Sequence, residues 1–165
     1  MVKSPKKEFI ELVCEINKSK GLDELSSKII GILFIEPREI SLDEISKRTG
    51  YSLSAVSTSM KFLSKSDLIR RVKKPGSKKI YFYMEKDMID SFLTVIGKTG
   101  QKVISLAKSR VPSIIDKYNL EKSKTASEEL KILKNYYKQL LVMEEMMNKF
   151  TKMLEEAHSK LGDTK

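Results

Sequence analysis

A single cysteine, Cys14, and a single histidine, His158, occur in 165 residues. One cysteine excludes an internal disulfide and fits a cytoplasmic protein. With no basic or imidazole neighbour placed to activate it, Cys14 reads as an ordinary packed helix residue. One histidine on a terminal helix cannot build a histidine-based triad or metal cluster, and His158 reads as a surface residue. No cysteine pair has zinc spacing and no glycine-rich loop could cradle phosphate. No acidic pair stands in an apolar context. An enzyme is therefore not expected, nor a metal or cofactor. No apolar run reaches transmembrane length and the N-terminus lacks a signal-peptide layout.

What the chain has is basic charge. The formal net charge is +10 and the hydrophobic fraction 40%. Residues 38–84 hold 11 Lys or Arg against 4 Asp or Glu, a local balance of +7. Such a patch calls for a polyanion or an acidic membrane surface.

The patch coincides with a patterned stretch, Ile40 to Met84. Ser41 with Glu44 three residues on reads as a capping box opening a short helix, with Leu42 and Ile45 on its buried edge. Gly50 stands where helices exit in the left-handed conformation. Ser52 is a good N-cap for a second helix, whose inner face is Leu53, Val56, Met60 and Leu63. Four serines and a threonine crowd Ser52 to Ser59. Hydroxyl residues are poor helix formers, but small side chains let a helix sit deep in a major groove and bond base edges and phosphates. Ser52, Ser54, Ser57, Thr58 and Lys61 are the candidate contacts. Two strand-like runs follow, Leu68–Lys73 and Lys79–Met84. The turn between them, Lys74-Pro75-Gly76-Ser77, has proline to preset one dihedral and glycine to supply a positive one. Arg70, Arg71, Lys73, Lys74, Lys78 and Lys79 make this hairpin a candidate phosphate-binding wing.

The order helix, turn, serine-rich helix, then Lys65-Ser66-Asp67-Leu68-Ile69-Arg70-Arg71 and Lys74-Pro75-Gly76-Ser77-Lys78-Lys79-Ile80-Tyr81, resembles the MarR-type winged-helix transcriptional regulators. The Lys-Pro-Gly wing followed by a basic pair and an aromatic strand is more similar to the branch of the glycine betaine synthesis regulator. The resemblance is most specific over roughly residues 25–100. This wing is shorter than that of many MarR relatives and lacks their Asp-x-Arg. The resemblance implies a regulator of transcription, with room for a small-molecule effector between DNA-binding and dimerisation layers. Tyr81, Tyr83, Phe92 and Tyr136 are the aromatics near that junction, and each reads equally as core.

Ser4-Pro5 predicts a helix start; Phe9, Leu12, Val13 and Ile16 line the helix, and Gly21 ends it. A second helix begins near Asp23 and stops before Pro37. Arg38 to Ile40 is a link that could pair with the wing. Beyond Lys86-Asp87 a helix carries Met88, Ile89, Phe92, Leu93, Ile96, Val103, Ile104 and Ala107. Gly97 and Gly100 inside it permit either a bend or a close crossing. Val111-Pro112 is expected to break it, leaving Ser113–Leu120 as a short helix and Glu121–Ser127 as a loop.

A final helix, about Ala126 to Leu161 and roughly 50 Å long, carries apolar residues in steps of three and four. These are Leu133, Tyr136, Leu140, Met143, Met147, Phe150, Leu154, Ala157 and Leu161, with Ile132, Met146 and Met153 widening the stripe. Such a seam packs on another helix, partly within the chain and partly on a second copy. The expected architecture is mainly α with a small β-hairpin: a winged helix-turn-helix over 22–85 and a helical dimerisation region over 1–21 and 86–165. The expected partners are double-stranded DNA and a second copy of the chain. Membrane binding is disfavoured because charge and apolar stripe lie on different elements. RNA binding, or non-specific architectural binding, is the closest rival, and the serine-rich helix favours duplex DNA.

Overall fold

The computed structural model describes residues 4–121 and 123–162. Residues 1–3, 122 and 163–165 lie outside it, and so do those parts of the expected dimerisation region. The chain forms two compact units, 1–91 and 92–165.

Unit one opens with α1 (Pro5–Ser19) and α2 (Glu24–Ile35). Ser4 caps α1 by accepting the Lys7 N–H, with proline in the first turn. Gly21 turns the chain at φ +86°, and Asp23 caps α2 by accepting the Ser26 N–H at 2.9 Å. The Ser26 hydroxyl, and then that backbone bond, hold the Asp23 carboxyl below its ordinary range. Pro37 forces Glu36 into extended backbone, ending α2. α1 lies on α2 within this unit. Phe9 stacks on Phe34 at 5.9 Å, and Gly31 lets the Ile10 backbone approach so closely that a Cβ there would sit 2.9 Å from its carbonyl oxygen.

β1 (Ile40–Ser41) leads into α3 (Leu42–Thr49) and α4 (Leu53–Leu63), followed by β2 (Ile69–Lys73) and β3 (Ile80–Met84). Ser41 accepts the Glu44 N–H, but the Glu44 side chain turns to Arg48 (2.7 Å), so only half of the expected capping box forms. Gly50 adopts φ +78°, and Ser52 caps α4 through the Ala55 N–H. The β2–β3 turn has Gly76 at φ +73° and a Ser77 N–H to Lys74 carbonyl bond. The antiparallel sheet runs β1-β3-β2, with Ile40 opposite Phe82 and Arg71 opposite Phe82. Of the link Arg38 to Ile40 expected to pair with the wing, only Ile40 joins the strand, which continues into Ser41 instead. Ile29, Leu33, Ile45, Val56, Met60 and Phe82 anchor one core. Leu53 does not join it: it is 46% exposed at the first turn of α4.

α5 (Met88–Thr94) passes through a π-helical stretch, Val95–Gly100, into α6 (Gln101–Leu120). Pro112 does not break α6. Proline removes one N–H and crowds the carbonyl four residues back, which a helix with packing along its length survives as a local defect. The separate Ser113–Leu120 helix is therefore not seen. The expected loop shrinks likewise, because Ser123 accepts the Ala126 N–H as α7 begins. α7 (Lys124–Gly162) has 39 residues, roughly 58 Å. It runs antiparallel to α6: Gln101 bonds Asn148, Lys108 pairs with Glu144, and Lys134 reaches Asn119. Gly100 marks a close crossing, since a Cβ there would lie 2.6 Å from the Met147 methyl; Gly97 has open space around it. The two glycines therefore do different work. Among the described residues no helix is long and apolar enough to cross a membrane.

Candidate nucleic-acid interface

α4 is held from beneath. Val56, Met60 and Leu63 are buried, and Ser59 is buried with them, its hydroxyl 2.5 Å from that of Ser26 on α2. One serine of the crowded run is thus an internal anchor. The signal was available, because Ser59 lies three residues after Val56 on the same helical face.

The remaining hydroxyls divide. Ser52 and Ser54 are exposed, Thr58 is exposed with its hydroxyl donating to the Ser54 carbonyl (3.1 Å), and Lys61 is exposed. Ser57 is half-buried, at the mouth of a cleft of about 330 Å³ between α4 and the wing. Lys61, Ser64 and Arg71 share that cleft, over an apolar floor that includes Met60 and Phe82. The Ser64 hydroxyl is buried without a hydrogen-bond partner among the described residues. Two cations and two hydroxyls around one cleft suit an anionic oxygen.

The six wing cations fall into two sets that the sequence did not distinguish. Arg70 pairs with Glu85 at 3.0 Å and lies over the Tyr83 ring. Lys74 pairs with Glu39 at 3.4 Å and lies 4.5 Å from the centre of the Tyr81 ring. Lys79 pairs with Asp43 at 2.9 Å, tying β3 to the first turn of α3, and that bond raises its pKa. Arg71, Lys73 and Lys78 are exposed and make no ion pair among the described residues. Lys86, just past the wing, donates to the Leu33 carbonyl and also lies over the Tyr83 ring, 4.6 Å from its centre. Burial lowers its pKa. Sequence reasoning missed Glu39, Asp43, Glu85 and Lys86, because their partners come together only when the sheet forms.

Residues 22–70 match the winged helix-turn-helix DNA-binding family. That stretch contains α2, α3, α4 and the start of the wing. Over 100 residues the chain is 26% identical to YvaV of Bacillus subtilis, named for an HTH-type transcriptional regulator; the alignment covers 61% of this chain and 56% of that protein. It is 21% identical over 108 residues to the HTH-type transcriptional repressor OpcR of the same organism, covering 66% and 58%. The chain thus matches little more than half the length of these relatives. A crystal structure titled as that of a transcriptional regulator shares the fold, with TM-score 0.67 at 18% identity over 93% of this chain and 99% of that one. In this winged helix-turn-helix, α4 is the second helix of the helix-turn-helix and β2–β3 the hairpin that follows it.

The terminal seam also divides. Leu133, Leu140, Met147 and Leu154 are buried or half-buried, as are Leu130, Tyr137 and Thr151, along the face of α7 that pairs with α6 and the π-helical stretch before it. With the half-buried Glu144 they form their own three-and-four repeat. Tyr136, Met143, Phe150 and Leu161 stay exposed, alongside Ile132, Met146 and Met153. One edge of Phe150 still meets Phe92 at 6.0 Å.

Proposed function

We propose that the protein is a homodimeric transcriptional regulator of MarR type that reads duplex DNA. α4 enters the major groove with Ser54 and Thr58 outermost. Arg71, Lys73 and Lys78 follow the phosphate backbone. Ser57 and Lys61, with Arg71, hold a phosphate at the cleft between helix and wing, while Arg70, Lys74 and Lys79 brace the wing. The observation that carries this reading is the cleft itself: unpaired cations and hydroxyls of the recognition helix and of the wing line one concavity. The candidate contacts Ser52, Ser54, Ser57, Thr58 and Lys61 and the wing cations take these divided roles; Ser52 contributes mainly as the N-cap.

The second copy meets the exposed stripe of α7, from Ile132 through Tyr136, Met143, Met146, Phe150 and Met153. What supports this is a continuous apolar face that this chain leaves uncovered. The finer placement beside the glycine betaine synthesis regulator rests on the Lys74-Pro75-Gly76 wing with its basic pair and aromatic strand, and control by an effector belongs to the same reading.

Selection of bound sequences from random duplex DNA tests the proposal. A palindromic consensus is the expected result, since a two-fold dimer presents the same helix to each half-site. Recovery of no consensus, or stronger retention of single-stranded or duplex RNA, would overturn it. With the selected site in hand, Thr58→Ala and Ser54→Ala should each relax preference at one position per half-site by about 1–3 kcal/mol, whereas Ser57→Ala should weaken all variants alike.

A further inference from the structure

One hydroxyl of the serine-rich helix α4 faces the protein interior. Ser59 is buried, and its hydroxyl lies 2.5 Å from that of Ser26 on α2, which is buried as well. Serine and threonine hydroxyls inside helices commonly bond back to their own helix. Thr58, the next residue, does so, donating to the Ser54 carbonyl at 3.1 Å. Ser59 bonds across to another helix instead. Asp23 settles which of the pair donates. The Ser26 hydroxyl is the first cause of the lowered Asp23 pKa, so its proton is directed to that carboxylate. Ser59 is then the donor and Ser26 the acceptor. Asp23 is itself held by the Ser26 N–H at 2.9 Å as the N-cap of α2. A directional chain of bonds therefore runs from the start of α2 to the middle of α4.

The surroundings show what that chain can do. On its inner face α4 rests on Val56, Met60 and Leu63, and apolar burial is non-directional. On the flank toward α2 a cleft of about 430 Å³ lies open beside the serine pair, lined by Leu25, Ala55 and Phe62. Phe62 is 57% exposed. Side-chain packing thus leaves this flank loose, and the hydroxyl bond ties it. Two alanines would fill the same place at little cost in stability, so burial alone does not call for hydroxyls.

We propose that the Ser26–Ser59 pair is a positioning device that sets the rotation of α4 about its own axis, and with it the aim of Ser54 and Thr58 at base edges. The effect on base edges rests on the reading of α4 as the helix that enters the major groove; the effect on rotation does not. Side-chain ends lie about 5 Å from a helix axis, so a roll of roughly 15° displaces them by roughly 1 Å. That is enough to take a hydrogen bond out of range. Ser59 is too deep to meet a base, and acts through Thr58 beside it.

The test uses the full chain as wild type, Ser59→Ala, Ser26→Ala and the double variant Ser26→Ala with Ser59→Ala. Without DNA, residual dipolar couplings of the backbone amides give the orientation of α4 against α2, and chemical denaturation gives stability. With DNA, affinity is measured for the selected duplex and for each of its single-base variants. Each single variant strands one buried hydroxyl and should lose stability, and the double variant should regain most of that loss. In the double variant α4 should nevertheless stay rotated against α2. Its preference at the base position that Thr58 reads should fall about tenfold, the size of one lost base contact. The log–log salt slope should stay at its wild-type value, because no charge is altered. An α4 orientation unchanged in the double variant, or base preference that returns together with stability, would overturn the proposal, since the pair would then be packing alone. A wild type with no preference among duplexes would instead defeat the base-reading assignment, and the couplings would still decide whether the pair sets the rotation.

Discussion

In the N-terminal unit the apolar side chains of α2, α3, α4 and the sheet converge on one cluster running from Ile29 to Met84, with Ile29, Ile45 and Val56 fully buried. In the C-terminal unit two longer helices bury only Ile104, Val111, Ala126 and Leu140 below a tenth exposure among the described residues. Helix length is not what separates them. Helices packed together with a sheet around one cluster enclose a volume, whereas two antiparallel helices share only a seam and leave the rest of each cylinder open. The first unit can therefore stand on its own core, whereas α7 keeps an exposed apolar stripe that the proposed dimer would cover.

The sharpest way to break this contrast is in the closed core. Ile45→Ala empties a site with no solvent access and should cost about 2–5 kcal/mol, read by chemical denaturation. Its effect should be confined to the winged unit, leaving the α6–α7 pair helical.

Next is the open stripe. Met146→Glu together with Phe150→Glu places charge on a face that is exposed in the single chain, so the fold of each unit should survive. Sedimentation equilibrium should move from dimer to monomer, with a dissociation constant raised about a hundredfold or more. Retention of the dimer would put the interface elsewhere.

The pH dependence should also differ between the units. Asp23 and Glu36 have carboxyl pKa values lowered in the folded state. Their contribution is present above the unfolded carboxylate range and is lost as pH falls below about 4 toward the folded values. Glu36→Gln should flatten the acid limb of the winged unit's melting curve, followed through amide exchange of α1 and α2, and leave that of α7 unchanged.

The smallest effect separates the two glycines. Gly97→Ala should stabilise by about 0.5–1 kcal/mol, the ordinary gain in a helical position with room. Gly100→Ala should gain less or lose, because Met147 must shift to admit the methyl group. Thermal melts of the two variants side by side would show the difference.

What was legible in the sequence follows from range. Ser41, Gly50, Ser52 and the Lys74–Ser77 turn act on their own few residues, so caps, helix ends and the wing could be read directly. The cationic wing was legible as composition, but its division into bracing and free cations was not, since Lys79 meets Asp43 and Lys74 meets Glu39 only through strand pairing. The long seam was legible as a repeat, yet period alone could not say that Leu133, Leu140, Met147 and Leu154 would turn inward while Tyr136, Met143 and Phe150 stayed exposed. Two adjacent heptad faces share the same spacing, and only the partner's position selects between them. Pro112 misled because a local rule about proline was stronger in sequence than the packing that overrides it.

The proposal that the free wing cations and α4 form the DNA-binding surface is tested most directly by salt dependence. Affinity for the selected duplex is measured over a range of salt for the wild type, for Arg71→Gln with Lys73→Gln and Lys78→Gln, and for Lys74→Gln with Lys79→Gln. At about 0.9 per phosphate contact, the triple variant should lower the magnitude of the log–log slope by roughly 2 to 3, and the double variant, whose charges are already paired, should change it by less than about 1. An unchanged slope in the triple variant would contradict the account, because the wing would then point away from the duplex.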